Sequence, residues 1–151
     1  MRSGLDYLSF IRQGYDVVSI DASNAMVEAA SKLTGQPALL MRSEEMNFDA
    51  DFDGIWACAS LLHVPRREMP AVFDRFERAL KPSGVWFMSF KAGHDEVFRE
   101  GRLFTNFTEQ MLRMLIESRA ALEALRLWTT MDARKNHSGE QWTNVLIRRR
   151  P

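Results

Sequence analysis

Gly14-Tyr15-Asp16-Val17-Val18-Ser19-Ile20-Asp21-Ala22-Ser23 sets a largely β-branched, apolar run between a glycine and an acid. Tyr15 to Ile20 predicts a strand with Asp21 at its tip. Ser23-Asn24 then predicts the start of a helix over Ala25 to Leu33, because short polar side chains satisfy the free amides of a first helical turn. Upstream, Leu5, Leu8 and Ile11 recur at helical spacing with Tyr7 and Phe10 beside them, and Gly14 follows as a left-handed cap. The reading is a short helix, then strand, acidic tip and helix.

Downstream the alternation continues. After Gly35 and Pro37, Ala38 to Met41 predicts a short buried strand, Glu44 to Asp53 an acidic surface connection, and Gly54 to Ala59 the next strand. Glu68 to Leu80 carries Met69, Val72, Phe73, Phe76 and Leu80 on one helical stripe. Lys81-Pro82-Ser83-Gly84 is a turn by composition, with glycine supplying a positive dihedral, and Val85 to Phe90 is the strand after it. Thr108 to Ser118 predicts a helix. Leu122 to Thr130 and Trp142 to Ile147 predict an antiparallel pair across the polar loop Asp132 to Glu140. Strand and helix in alternation require crossovers, so the expected fold is α/β: a mostly parallel sheet with helices on both faces and an antiparallel carboxyl-terminal strand pair. Ligands of such sheets sit at the carboxyl ends of the strands where strand order reverses, so Asp21, the Ser43-Glu44 turn and the Ala59-Ser60-Leu61 turn are expected to converge.

With 151 residues, a chain of this length predicts one domain, since roughly 100–200 residues make one. Twenty basic residues balance twenty acidic ones, which removes the general electrostatic case for a nucleic acid or an anionic membrane as partner. Arg148, Arg149 and Arg150 cluster at the carboxyl end, and three arginines read as a solvated strand terminus. Cys58 is the single cysteine, within the apolar run Ile55 to Ala59, so no internal disulfide forms and a reducing cytoplasm is expected. No basic-then-apolar leader opens the sequence and no apolar stretch reaches membrane length.

Three segments carry a resemblance. Gly14 to Ser23 resembles the second strand of class I S-adenosylmethionine-dependent methyltransferases, where the terminal acid accepts hydrogen bonds from both ribose hydroxyls of the cofactor. A carboxylate suits a vicinal diol because its two oxygens take both donors at once. Phe52-Asp53-Gly54-Ile55-Trp56-Ala57-Cys58-Ala59-Ser60-Leu61-Leu62-His63-Val64-Pro65 resembles the fourth strand and its loop, and Ala79 to Val85 the turn into the fifth strand. Ser89-Phe90-Lys91, Gly101-Arg102-Leu103-Phe104-Thr105 and Trp142-Thr143-Asn144-Val145-Leu146 narrow the resemblance to the bacterial subgroup described as tellurite-resistance-like. The resemblance spans Ser3 to Arg149 and implies a Rossmann-like fold, S-adenosylmethionine as cofactor and a small-molecule acceptor.

Carried over residue by residue, the resemblance makes Ser3, Gly4, Asp21, Ala22, Ser43, Glu44, Ala59 and Ser60 cofactor-binding candidates. Arg42 stands where many members have an aspartate, which shifts the expected adenine contacts to the backbone. His63, just after the fourth strand, is the candidate to orient or deprotonate an acceptor. Lys91 and Arg102 are candidates for drawing in an anionic or thiolate acceptor, whereas Trp142 and Asn144 read as strand packing. His94, Asp95 and Glu96 are consecutive, a spacing that does not aim three ligands at one metal. Members of the family begin with a buried strand and a D-x-G-x-G-x-G loop. Here only Ser3-Gly4 corresponds to that loop, so the first strand is expected to be absent and the chain amino-terminally truncated, with cofactor binding impaired and self-association through unpaired sheet edges. The competing reading is a non-catalytic remnant serving as an interaction module. A nicotinamide oxidoreductase fits less well, since its own glycine fingerprint is missing.

Overall fold

Leu5, Leu8 and Ile11 form the helix their spacing predicts, α1 (Leu5–Arg12), with Tyr7 buried and its hydroxyl donating to the Pro37 carbonyl at 3.2 Å. The structure, a computed structural model, describes residues 4–137 and 139–151 and divides into two units, Met1–Met46 and Asn47–Pro151. In the first unit β1 (Ile20–Asp21) leads through Ser23 into α2 (Asn24–Thr34), which ends on Gly35 at φ 70°. β2 (Leu39–Leu40) then pairs parallel with β1, Ile20 opposite Leu39 and Asp21 opposite Leu40. Gly4 is left-handed at φ 83°, and a Cβ there would lie 2.9 Å from the Ala30 Cα, so its missing side chain lets the start of α1 approach α2.

The predicted strand over Tyr15 to Ile20 is cut down to its last residue plus Asp21. Ladder hydrogen bonding begins only where Leu39 N–H meets the Ser19 carbonyl at 2.8 Å. Tyr15 and Val18 stay 62% and 47% exposed. β-branched composition describes a residue that suits a half-buried pleated surface, and before Ser19 this segment has no strand beside it among the described residues.

The second unit is built on a four-stranded sheet of order β3-β4-β8-β7. β3 (Phe52–Ala57) and β4 (Leu80–Lys91) are parallel and joined by α3 (Met69–Ala79), while β8 (Gln141–Arg149) lies antiparallel between β4 and β7 (Leu122–Met131). The α/β class and the antiparallel carboxyl-terminal pair are thus as the sequence reads. Along β4, Trp86, Met88 and Phe90 are buried, and Trp86 packs edge-on against Phe73 of α3 with ring centroids 4.6 Å apart. Phe90 meets Phe107 just before α4 (Glu109–Glu117), whose amino end is capped by the Thr108 hydroxyl accepting from Met111 N–H at 3.1 Å. On the opposite face Trp56 stacks on Phe87 at 4.3 Å.

Two details correct the sequence reading. Lys81–Gly84, expected as a turn, lies within β4 at the register shift between the Phe52–Leu80 and Gly54–Val85 pairings; the positive φ there falls on Ser83 at 67°, whereas a Cβ on Gly84 would lie 2.8 Å from the Lys81 carbonyl oxygen and 3.2 Å from that of Asp53. Glycine is there for space. The segment after Lys91 folds into a hairpin, β5 (Glu96–Arg99) and β6 (Arg102–Thr105), turned by Glu100 and Gly101, both at positive φ. The terminal arginines are engaged by the sheet: Arg148 and Arg150 pair with Glu123, and Arg149 donates to the Leu80 carbonyl.

Candidate functional site

In the first unit, parallel pairing brings the carboxyl ends of β1 and β2 to one rim. The Asp21 carbonyl accepts from Met41 N–H at 3.0 Å, and Ser43 and Glu44 follow at once in a single 3-10 turn. Asp21 is partly exposed. Its Oδ1 accepts from Ser23 N–H at 2.8 Å, an Asx turn that fixes the carboxylate and leaves Oδ2 to accept from a ligand. Ala22 is exposed beside it. Arg42 pairs with Glu44 at 3.4 Å, so the residue departing from the family pattern is held by the neighbouring candidate. Gly4 serves the packing described above, and Ser3 lies outside the described residues.

In the second unit the loop after β3 is pinned from β4. Ser89 Oγ accepts from Ala59 N–H at 2.8 Å and contacts Cys58 Sγ at 3.8 Å. Ala59 takes φ 50°, a region in which a residue with a Cβ costs about 1–3 kcal/mol. That strain turns the chain sharply, and Ser60 stands exposed ahead of the 3-10 turn Leu61–His63, whose two leucines are buried. His63 is exposed, with Nδ1 2.7 Å from the Leu103 carbonyl and its ring edge-on to Phe104 at 4.9 Å. A carbonyl can only accept, so it holds the proton on Nδ1 and leaves the Nε2 lone pair free to take a proton.

Lys91 ends β4, on the same rim as Ala59 and Ser60 because β3 and β4 run parallel. Its ammonium pairs with Glu140 at 2.7 Å, which also receives Arg99 at 3.2 Å and contacts His137 Nδ1 at 3.1 Å. The hydrogen bond from Lys91, ahead of the one from Arg99, holds the Glu140 carboxyl below the usual carboxylate range. Arg102, the sequence candidate, opens β6 opposite Arg99 and is exposed. Sequence reading missed Arg99 and Glu140. The signal was present in Val97-Phe98-Arg99 and Arg102-Leu103-Phe104 flanking Glu100-Gly101, a hairpin pattern.

Asp132, His137 and Glu140 have ligand atoms within 4.8 Å of one another. Asp132 is already bound by Arg134 at 2.7 Å and by Trp142 Nε1 at 3.0 Å, and Glu140 by two cations, so a divalent ion would have to displace arginine and lysine to enter. Glu96, part of the consecutive acidic run, accepts from Arg66 N–H and from Thr105 Oγ1. Asn144 donates to the Trp128 carbonyl and to Thr130 Oγ1, the strand-packing role its position predicts.

A family model described as "Methyltransferase domain" matches residues 2–88, more than half of the chain. A comparison with proteins of curated function gives no match. Among solved structures, a SAM-dependent methyltransferase from Methanosarcina mazei superposes with a TM-score of 0.81 at 18% identity, covering 98% of this chain and 88% of that one. The 1,6-didemethyltoxoflavin-N1-methyltransferase of Burkholderia thailandensis, with 1,6-didemethyltoxoflavin and S-adenosylhomocysteine bound, gives 0.79 at 20% identity over 99% and 68%. TehB from Haemophilus influenzae gives 0.78 at 15% identity over 99% and 55%. At these identities the likeness shows the fold, which is the Rossmann-like methyltransferase fold.

Proposed function

The chain belongs to the methyltransferase domain family, and on that premise we propose that it binds S-adenosylmethionine and methylates a small-molecule acceptor. The carrying observation is Asp21: a carboxylate fixed by Ser23 N–H at the carboxyl end of a parallel strand, with acceptor capacity left for a diol. Residues 1–151 are read as a single methyltransferase domain.

The cofactor supplies a methyl group on a positively charged sulfur, which leaves by displacement with the bonding electrons returning to sulfur. Asp21 would accept from the ribose hydroxyls, Ala22 and the Ser43-Glu44 turn would offer backbone contacts to the adenine, and Ala59 and Ser60 carry over from the family resemblance as cofactor-binding residues. Gly4 and Ser3 stand where the family's glycine loop ends. His63, with its proton held on Nδ1, receives the acceptor's proton on Nε2 as the new bond forms. In-line alignment provides most of the rate in such a displacement, so His63 is the one side chain assigned a chemical step.

Titration with S-adenosylhomocysteine, followed by calorimetry and thermal shift, tests this reading, since a ligand bound only by the native state raises its stability. D21A should weaken binding by about tenfold or more, the loss of two hydrogen bonds to a charged group. H63Q should leave that affinity unchanged and slow methyl transfer. If wild-type protein shows no response to S-adenosylhomocysteine, the reading fails and the chain is a methyltransferase-like module without cofactor function. That alternative draws support from Gly4, the glycine that corresponds to the family's loop, which is taken up in helix packing.

Self-association would run through β3, an edge strand whose one strand partner among the described residues is β4. The tellurite-resistance-like subgroup is supported by the segments around Lys91, Arg102 and Trp142 and by the likeness to TehB, and it concerns lineage and not the acceptor. A cytoplasmic location is supported by the lone cysteine, and no helix among the described residues is long and apolar enough to cross a membrane. Cell fractionation tests it.

A further inference from the structure

The end of β4, the β5–β6 hairpin and the start of β8 enclose a cleft of about 90 Å³, lined by Lys91, Val97, Arg99, Phe104, Asn106 and Glu140 among others. Its charge is unusual in how it is held. Lys91 is only 16% exposed, a degree of burial that lysine tolerates only when its charge is compensated. Compensation comes from Glu140 at 2.7 Å and from the faces of Phe104 and Trp142, at 5.3 and 5.9 Å from the ammonium. The same carboxylate must also serve Arg99. Two full cations therefore share one acid, and the other nearby acid, Asp132, is taken by Arg134.

The cleft thus keeps one uncompensated positive charge and spare donors. Lys91 has three N–H groups and Arg99 five, and each directs one bond to Glu140. Arg99 is 59% exposed at the mouth, where its planar fork can meet an incoming pair of oxygens. Asn106 adds a polar residue to the lining. Val97 and Phe104 give an apolar wall. The volume of about 90 Å³ is several times the roughly 10–15 Å³ that a single water needs, room for a carboxylate and the atom beside it.

We propose that this cleft binds the carboxylate of a small acceptor. One negative charge neutralises the cleft, whereas a dianion such as a phosphate monoester would overfill it. Phe104 lines the cleft and also meets the ring of His63 edge-on, with centroids 4.9 Å apart. That the anchored molecule is the methyl acceptor rests on the methyl-transfer reading; that the cleft binds a carboxylate does not.

The test is a titration of the full chain, followed by 1H–15N NMR, with lactate, with its neutral analogue propane-1,2-diol, and with inorganic phosphate. Lactate should move the backbone amides of Ala92, Arg99 and Gln141 saturably, and the diol should not. R99Q should weaken lactate binding about tenfold or more, the effect of one charge-assisted pair, while R99K retains part of it. Arg99 is exposed, so neither variant threatens the fold, and the spectrum without ligand verifies that. Unmoved amides with lactate, equal shifts from the diol, or unchanged affinity in R99Q would each overturn the proposal. Phosphate binding as tightly as lactate would overturn the carboxylate assignment. S-adenosylhomocysteine added to the same sample separates the two readings. A response at Asp21 without lactate binding sinks this proposal alone, whereas lactate binding without that response upholds the cleft and sinks the methyl-transfer reading.

Discussion

Asp132 and Glu140 are the carboxyls that the fold perturbs most visibly, and both do so through partners that no sequence pattern announces. The Arg134 side chain is the main cause holding Asp132 well below the usual carboxylate range, with the Arg134 backbone amide next and Trp142 Nε1 adding to them. A carboxyl whose folded value is lowered adds stability that is fully present above its unfolded value, near 4, and is lost as pH falls from there through the folded value. D132N removes that contribution. The melting temperatures of wild type and D132N should therefore differ most at neutral pH and draw together below about pH 4. A gap that stays constant down to pH 2 would show that Asp132 carries no such linkage. The sequence showed Asp132 to Glu140 as a polar loop and no more. Arg134 reaches Asp132 across two residues, and Glu140 reaches Lys91 across 49, a separation at which only the folded sheet defines neighbours.

At the scale of elements, β4 and α3 test what the core requires. Trp86 is fully buried between Phe73 and Phe76, yet its Nε1–H has no hydrogen-bond partner. W86A should cost about 3–5 kcal/mol through lost burial and a cavity. W86F removes the orphaned donor, whose burial costs about 1–3 kcal/mol, and should recover a large part of that loss in urea denaturation. Equal destabilisation by the two substitutions would mean that the indole N–H is satisfied. α3, α4, β7 and β8 were readable because each carries a periodic stripe longer than its ends are uncertain: Val72, Phe73 and Phe76 are all buried, as are Leu112 and Ile116. The β5–β6 hairpin was not read, because Glu100-Gly101 is a weaker turn signal than Asn-Gly and the charged ends Glu96, Arg99 and Arg102 mask the alternation. That omission hid Arg99, and with it half of the anion cleft.

Among the described residues, only Tyr7, Ala30 and Met46 of the buried apolar side chains belong to Met1–Met46, and the others lie in Asn47–Pro151. The larger unit thus carries the bulk of the described core. There β3 has β4 as its one strand partner among the described residues, which makes Phe52–Ala57 an edge of this sheet. Proteins guard such edges with charge, proline or a bulge; here the charge of Asp53 and the register shift between Phe52 and Gly54 guard the start of the strand, and Gly54 and Trp56 are the further exposed positions. A second copy running antiparallel across a twofold axis would satisfy both edges at once. Sedimentation velocity across a concentration series should then show a monomer giving way to a dimer. Gly54 is the place to test it, since a Cβ there meets nothing closer than the Val85 carbonyl oxygen at 3.7 Å, so a side chain is tolerated. G54K sets a charge on the open edge and should shift the series toward monomer while leaving the melting temperature of the dilute protein unchanged. A wild-type sample that stays monomeric at every concentration sinks the edge-pairing argument. A dimer that G54K does not weaken places the contact elsewhere on the surface.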